Sequence, residues 1–148
     1  MAKLNESRKL NLGSGDYPKN GYVNVDFYSI KPPDIHHDLE IIPYPFPDNH
    51  FEVIEADHVL EHLSNPFKIM AELYRISTNN AFFRIKVPHF SRGFTHADHK
   101  RGFDVTFAYY FDPNFTPGYQ GINLKLEKLK MHWFAQPYLK KLFLPAHL

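Results

Sequence analysis

Apolar and polar positions change rhythm along this chain, and the rhythm assigns most of its elements. Arg8–Leu12 and Tyr22–Asp26 are short β-rich runs bounded by Gly, Pro and Asn. Phe51–Ala56 (FEVIEA) and Phe82–Val87 (FFRIKV) repeat the pattern, which predicts four strands. Asn65-Pro66 supplies an N-cap followed by proline at the first helical position. Phe67, Met70, Leu73, Tyr74 and Ile76 then recur at helical spacing, so a helix is predicted to run to about Ser77. Strand, helix and strand in succession imply a right-handed βαβ unit and a parallel sheet.

Beyond that unit the periodicity weakens. Pro88–Pro117 is rich in His, Phe, Tyr and Pro and reads as a long ordered loop, with a short helix around Thr106–Phe111. Loops of this length are usually functional or disordered, and this one is too aromatic for disorder. Leu124–Trp133 alternates leucine with charge and predicts one further strand, and a last helix is expected over Pro137–Leu144. The lysines at 125, 128, 130, 140 and 141 stand against Glu127 alone in this tail and read as a solvated face.

Composition narrows the classes without choosing among them. A chain of 148 residues fits a single domain over 1–148 and can bury a core. The net charge of +1 gives no general attraction to nucleic acid or anionic membrane. No apolar run approaches the roughly 20 residues of a membrane helix. The N-terminal segment lacks the continuous apolar stretch of a signal peptide. With no cysteine there is neither a disulfide framework nor a thiolate metal site, and the cytoplasm is the default compartment.

The candidate chemistry begins where the first strand runs into Gly13-Ser14-Gly15. A Gly-x-Gly turn lets backbone approach a ligand with no Cβ in the way, and an acid at the tip of the next strand, Asp26, is placed to accept hydrogen bonds from a ribose. The competing reading of Gly-Ser-Gly-Asp is an ordinary turn. Only nine residues separate Leu12 from Tyr22, fewer than a parallel crossover with a helix needs, and Lys31-Pro32-Pro33-Asp34 cannot make a useful helix in the next connector. No helix N-terminus is then available for a phosphate, which disfavours a dinucleotide and favours an adenosyl ligand without one.

LNLGSG (Leu10–Gly15), VNVDF (Val23–Phe27), HDLEIIPYPFPDNHFEVIEADHVLEHL (His37–Leu63) and FFRIKVPHF (Phe82–Phe90) resemble the S-adenosylmethionine-dependent methyltransferases with a Rossmann-like (class I) sheet, in the type 11 branch. The resemblance covers roughly residues 8–115. It implies an α/β fold with a mostly parallel sheet, here in a minimal version with shortened first crossovers and an irregular C-terminal part. It implies that Gly13, Ser14 and Gly15, flanked by Leu12, pass beneath the amino-acid part of S-adenosylmethionine. Asp26, followed by Phe27, would hold the ribose, Asp38 would accept from the adenine amino group, and Leu39 would lie against the ring. Asp57 and His58 would sit near the transferred methyl. Two departures stand out: Asp16 and Tyr17 follow Gly15 where a third glycine is common, and Ser77-Thr78-Asn79-Asn80 replaces a Pro-Gly-Gly turn. The sheet surface left bare by the missing helices suggests a homodimer, and the methyl acceptor is unidentified.

Two readings of other classes compete. His58-x-x-Glu61-His62 matches an inverted zinc-peptidase motif if it is helical, with Glu72 the nearby candidate for a third ligand. A non-catalytic adenosyl-binding or interaction domain would share the fold. In the long loop, His89, His96 and His99 with Asp98 could form a small metal site or line the substrate cavity. His89 and His99 are the catalytic candidates, and no metal is assigned.

Overall fold

A computed structural model describes residues 7–93 and 96–132. The four expected strands form and a fifth, very short one joins them: β1 (Lys9–Leu12), β2 (Val23–Asp26), β3 (Ile35–His36), β4 (Phe51–Asp57) and β5 (Ser77–Lys86). Every neighbouring pair is parallel, in the order β3-β2-β1-β4-β5. Because the order reverses between β1 and β4, the loops leaving their carboxyl ends diverge and open a crevice there.

Register decides which side chains meet. Leu10 and Leu12 lie beside Val23 and Val25 on one flank and Ile54 and Ala56 on the other, so these six share a face. They form one buried cluster with Ile69, Met70, Leu73 and Ile76 of α1 (Pro66–Ile76), the predicted helix. Its N-cap is the expected one: the Asn65 side chain accepts from the Lys68 N–H at 3.1 Å. Near its C-terminus Arg75 reaches the Phe46 carbonyl at 3.1 Å, the Asp48 carboxylate and Glu72. The proline-rich turn before β4 is thereby fastened to the helix, with Tyr44 and Phe46 buried beneath it.

The opposite face has no helix in the β1–β2 or β2–β3 connections, which are loops as the short spacings imply. What covers it is polar. Asn11 and Asn24, adjacent in register, are 3% and 2% exposed, and the Asn11 amide donates to Asn24 at 2.9 Å. Asn24 accepts from the Lys19 N–H at 2.7 Å and donates to the Lys19 carbonyl and the Asp34 carboxylate. Two buried asparagines therefore hold the crossover loops against the sheet by hydrogen bonds, where apolar residues would have required a helix.

β5 begins at Ser77 rather than Phe82, because Ser77 pairs with Phe51 before the register shifts and resumes at Phe82 opposite Val53. Asn80 absorbs the shift at φ 66°, the left-handed conformation that Asn tolerates. Beyond β5 the loop forms α2 (Phe90–Gly93) and the expected helical turn, a 3-10 segment over Val105–Phe111. Phe103 and Phe111 join the core, and Phe107 packs against it. The strand expected over Leu124–Trp133 does not form over 124–132: Leu126, Leu129 and Met131 stay exposed, so its alternation finds no sheet edge to bury a face against. The helix expected over 137–144 lies outside the described residues.

Candidate functional site

The crevice at the strand reversal is built from the loops after β1, β2 and β4. Gly13 (φ 62°) and Gly15 (φ 49°) both take the left-handed conformation that glycine reaches without strain. A Cβ on Gly13 would strike Val59, in the loop after β4, so this glycine lets the two loops close on each other. A Cβ on Gly15 would meet nothing within 4 Å, which marks open space above the turn. The Ser14 N–H donates to the Val25 carbonyl at 3.0 Å and the Gly15 N–H to Asp26 Oδ2 at 2.7 Å, so the turn and the acid form one unit. The other Asp26 oxygen accepts from the Tyr28 N–H at 2.7 Å. Each oxygen keeps a further lone pair for a hydroxyl. Ser14 Oγ is buried without a partner.

Asp16, where a third glycine was the expectation, serves the local structure by accepting from the Ile30 and Lys31 N–H groups, which ties the loop after β2 to the turn. Phe27 packs edge-on against Tyr28 and beside His36, with ring centres 4.3 and 5.0 Å away. The His37 N–H donates to the Asp26 carbonyl, which brings the segment holding Asp38 and Leu39 alongside β2. Leu39 is buried, and its carbonyl accepts from the Tyr44 hydroxyl at 3.0 Å. Burial raises the pKa of that hydroxyl, and the charges of Glu72, Glu40 and Asp38 raise it further, so it stays a donor. Leu12, Gly13, Ser14, Gly15, Asp26, Phe27, Asp38 and Leu39 thus converge at one end of the sheet.

Asp57 and His58 do not join them in the same way. Asp57 turns toward Lys86 at 3.0 Å, Arg84 at 3.4 Å and Lys19 at 3.6 Å. Beside it Glu55 accepts from Lys19 at 2.6 Å, Arg84 at 2.5 Å and the Tyr22 hydroxyl at 3.1 Å. Burial pushes the pKa of both acids up, but these cations and donors outweigh it and leave both below their ordinary values. His58 (φ 58°) has a side chain 63% exposed, and its Nδ1 lies 3.1 Å from Glu61 Oε1. The 3-10 turn Leu60–His62 starts after His58, so the inverted peptidase motif does not form on a helix. Glu72 is occupied by Arg75 and the Tyr44 N–H.

The two catalytic candidates lie in different settings. His89 has its Nδ1 2.9 Å from Ser91 Oγ and its ring against Phe90. His99 stands edge-on to His62 with ring centres 4.9 Å apart, and His96 stacks on it at 4.9 Å. Sequence reasoning missed two contributors, the Asn11–Asn24 pair and Lys19, and named Glu61 only within the peptidase motif. The first was signalled by asparagine alternating with apolar residues in LNL and VNV. Nothing in the sequence marked Lys19 for Glu55.

The family model described as "Methyltransferase domain" matches residues 17–85. Residues 17–85 are thus similar to that family, and the five-stranded parallel sheet has the Rossmann-like methyltransferase fold. Among solved structures, the YcgJ protein of Bacillus subtilis superposes with a TM-score of 0.56 at 16% identity, over 70% of this chain and 58% of that one. The match therefore spans little more than half the length of that neighbour. A complex of the Haloferax volcanii Trm112 methyltransferase activator with a putative methyltransferase overlaps at a TM-score of 0.37 and 16% identity, over 52% of this chain and 46% of that one, too weakly to bear on fold or partners. No curated protein matches the sequence. The family match begins just past Gly15, so the Gly13–Gly15 turn rests on its own geometry.

Proposed function

We propose that this domain binds S-adenosylmethionine in the crevice between β1 and β4 and transfers its methyl group to a nucleophilic acceptor. The observation that carries the reading is the Gly13–Gly15 turn locked to the Asp26 carboxylate at the strand reversal, with open space above Gly15. The donor set suits an adenosyl group: carboxylates for hydroxyl and amino donors, an unpartnered Ser14 hydroxyl, and no helix N-terminus in the β1–β2 or β2–β3 connection to select a phosphate. Asp26 would accept from the ribose, Asp38 from the adenine amino group, and Leu39 would flank the ring. The bound cofactor supplies a sulfonium methyl that reacts without a metal, so the chain's own residues need only align the acceptor and exclude water.

Calorimetric titration with S-adenosylmethionine, comparing the natural chain with Asp26→Ala, tests this directly. The expected loss is tenfold or more in affinity, about 1.4 kcal/mol. Equal affinity in the two proteins removes Asp26 from the site, and absence of binding in folded natural protein overturns the reading. On the acceptor side, His99→Ala and His89→Ala are expected to lower turnover and spare cofactor affinity. A second reading, a non-catalytic adenosyl-binding domain, is favoured by a sheet that ends at β5 among the described residues. The homodimer proposal predicts a dimer by light scattering. The part of the polar face left exposed, at Arg84 and Lys86 of β5, carries ion pairs, so an interface there would weaken with added salt.

A further inference from the structure

The described residues gather a group of ligating side chains beside the proposed cofactor crevice, and it includes the acceptor-side candidate His99. Glu61, His62 and His99 each offer a ligand atom, and these atoms lie within 4.8 Å of one another. They come from two segments far apart in sequence, the 3-10 turn after β4 and the loop after β5. The two are docked by the Lys100 N–H donating to the Glu61 carbonyl at 2.8 Å and by Arg101 donating to the Ser64 carbonyl at 2.6 Å. Val59, which opens this turn, is the residue that a Cβ on Gly13 would strike, so the cluster adjoins the Gly13–Gly15 turn.

Two details point to a cation. Glu61 is fully buried; its Oε1 faces His58 Nδ1 at 3.1 Å, while its Oε2 is buried with no partner. An unpaired carboxylate oxygen away from water is costly, and a metal ion is one of the few groups that satisfies it fully. His62 Nδ1 lies 3.2 Å from the Asp98 carbonyl, which can only accept. The hydrogen is then on Nδ1 and the lone pair on Nε2, the arrangement in which a carbonyl orients a metal-binding imidazole.

We propose that Glu61, His62 and His99 bind one divalent transition-metal cation. Two imidazoles and a carboxylate are a ligand set that suits zinc, and three protein ligands leave a fourth tetrahedral position open for water or another oxygen. This replaces the ligand set His58, His62 and Glu72 that the peptidase motif suggested, because the 3-10 turn that holds His62 begins after His58 and Arg75 occupies Glu72.

The test is titration of chelator-treated, folded protein with zinc chloride, without S-adenosylmethionine, followed by cobalt substitution to read coordination from the visible absorption. One zinc per chain is expected, weakened about tenfold or more by His62→Ala or by His99→Ala and unchanged by His50→Ala. Glu61→Gln should act similarly, but its burial puts folding at risk, so the two histidine variants carry the test once circular dichroism shows them folded. Absence of stoichiometric zinc in the natural chain overturns the proposal, as does equal affinity in both histidine variants. Because cofactor affinity is measured separately on metal-free protein, either reading can fail alone.

Discussion

Toward α1, the sheet presents Leu10, Leu12, Val23, Val25, Ile54 and Ala56 and buries them against an amphipathic helix. From the same strands, one residue along, it presents Asn11, Asn24, Glu55 and Asp57 to a pair of short loops. The first face is stabilised by removal of apolar area from water, which is non-directional and tolerates some repacking. The second depends on named hydrogen bonds, each of which fails if one partner is lost. The contrast explains how such short crossovers suffice. Once the strand side chains facing them are asparagine and ionised acids, a short loop suffices where a helix would bring apolar residues with nothing apolar to meet. It also bears on the proposed cofactor site, since these loops carry the Gly13–Gly15 turn and adjoin Asp26.

Substitutions on the two faces should separate these mechanisms by size. Leu73→Ala, at a fully buried position in α1, should cost about 2–5 kcal/mol in urea-induced unfolding. A loss below that range would mean the core collapses around the gap. Asn24→Ala on the other face should cost about 1–3 kcal/mol, because it removes the oxygen that accepts from the Lys19 N–H and the buried Asn11 amide. Unlike the core change, it should also loosen the cradle, visible as faster amide exchange over residues 13–22. A cost equal to that of Leu73→Ala with no local loosening would dissolve the distinction.

Acid should act through the paired carboxylates. Glu55 and Asp57, with Glu72 under α1, have pKa values below their ordinary ones in the folded chain, so on acidification the unfolded chain takes up protons before the folded one does. The stability they contribute is complete above the unfolded values near about 4 and is lost as pH falls through the lower folded values. Thermal melts from pH 6 downward should show that decline, and Glu55→Gln should make it shallower. The smallest effect is expected from Asn65→Ala, which removes the α1 cap at a cost of about 1 kcal/mol in the same unfolding assay.

Much of this molecule could be read without coordinates, and the reason is local. Strand and helix periodicity, the Asn65-Pro66 start and the short spacing between Leu12 and Tyr22 are properties of neighbouring residues, so β1, β2, β4, α1 and the loss of the first helices were legible. So was the association of Gly13–Gly15 with Asp26, because a parallel register brings the tips of successive strands together. The two-residue β3 escaped the strand count because it has too few positions to show a period, and the alternation at 124–132 misled because alternation needs a sheet edge to act on. Tertiary structure alone decided the rest. That Asp57 faces Lys19, Arg84 and Lys86, that Asn11 meets Asn24, and that Glu61 and His62 meet His99 from another loop are contacts between residues at least 13 positions apart. No local pattern encodes such pairings; they exist only once hydrophobic burial on the other face has fixed where each strand ends.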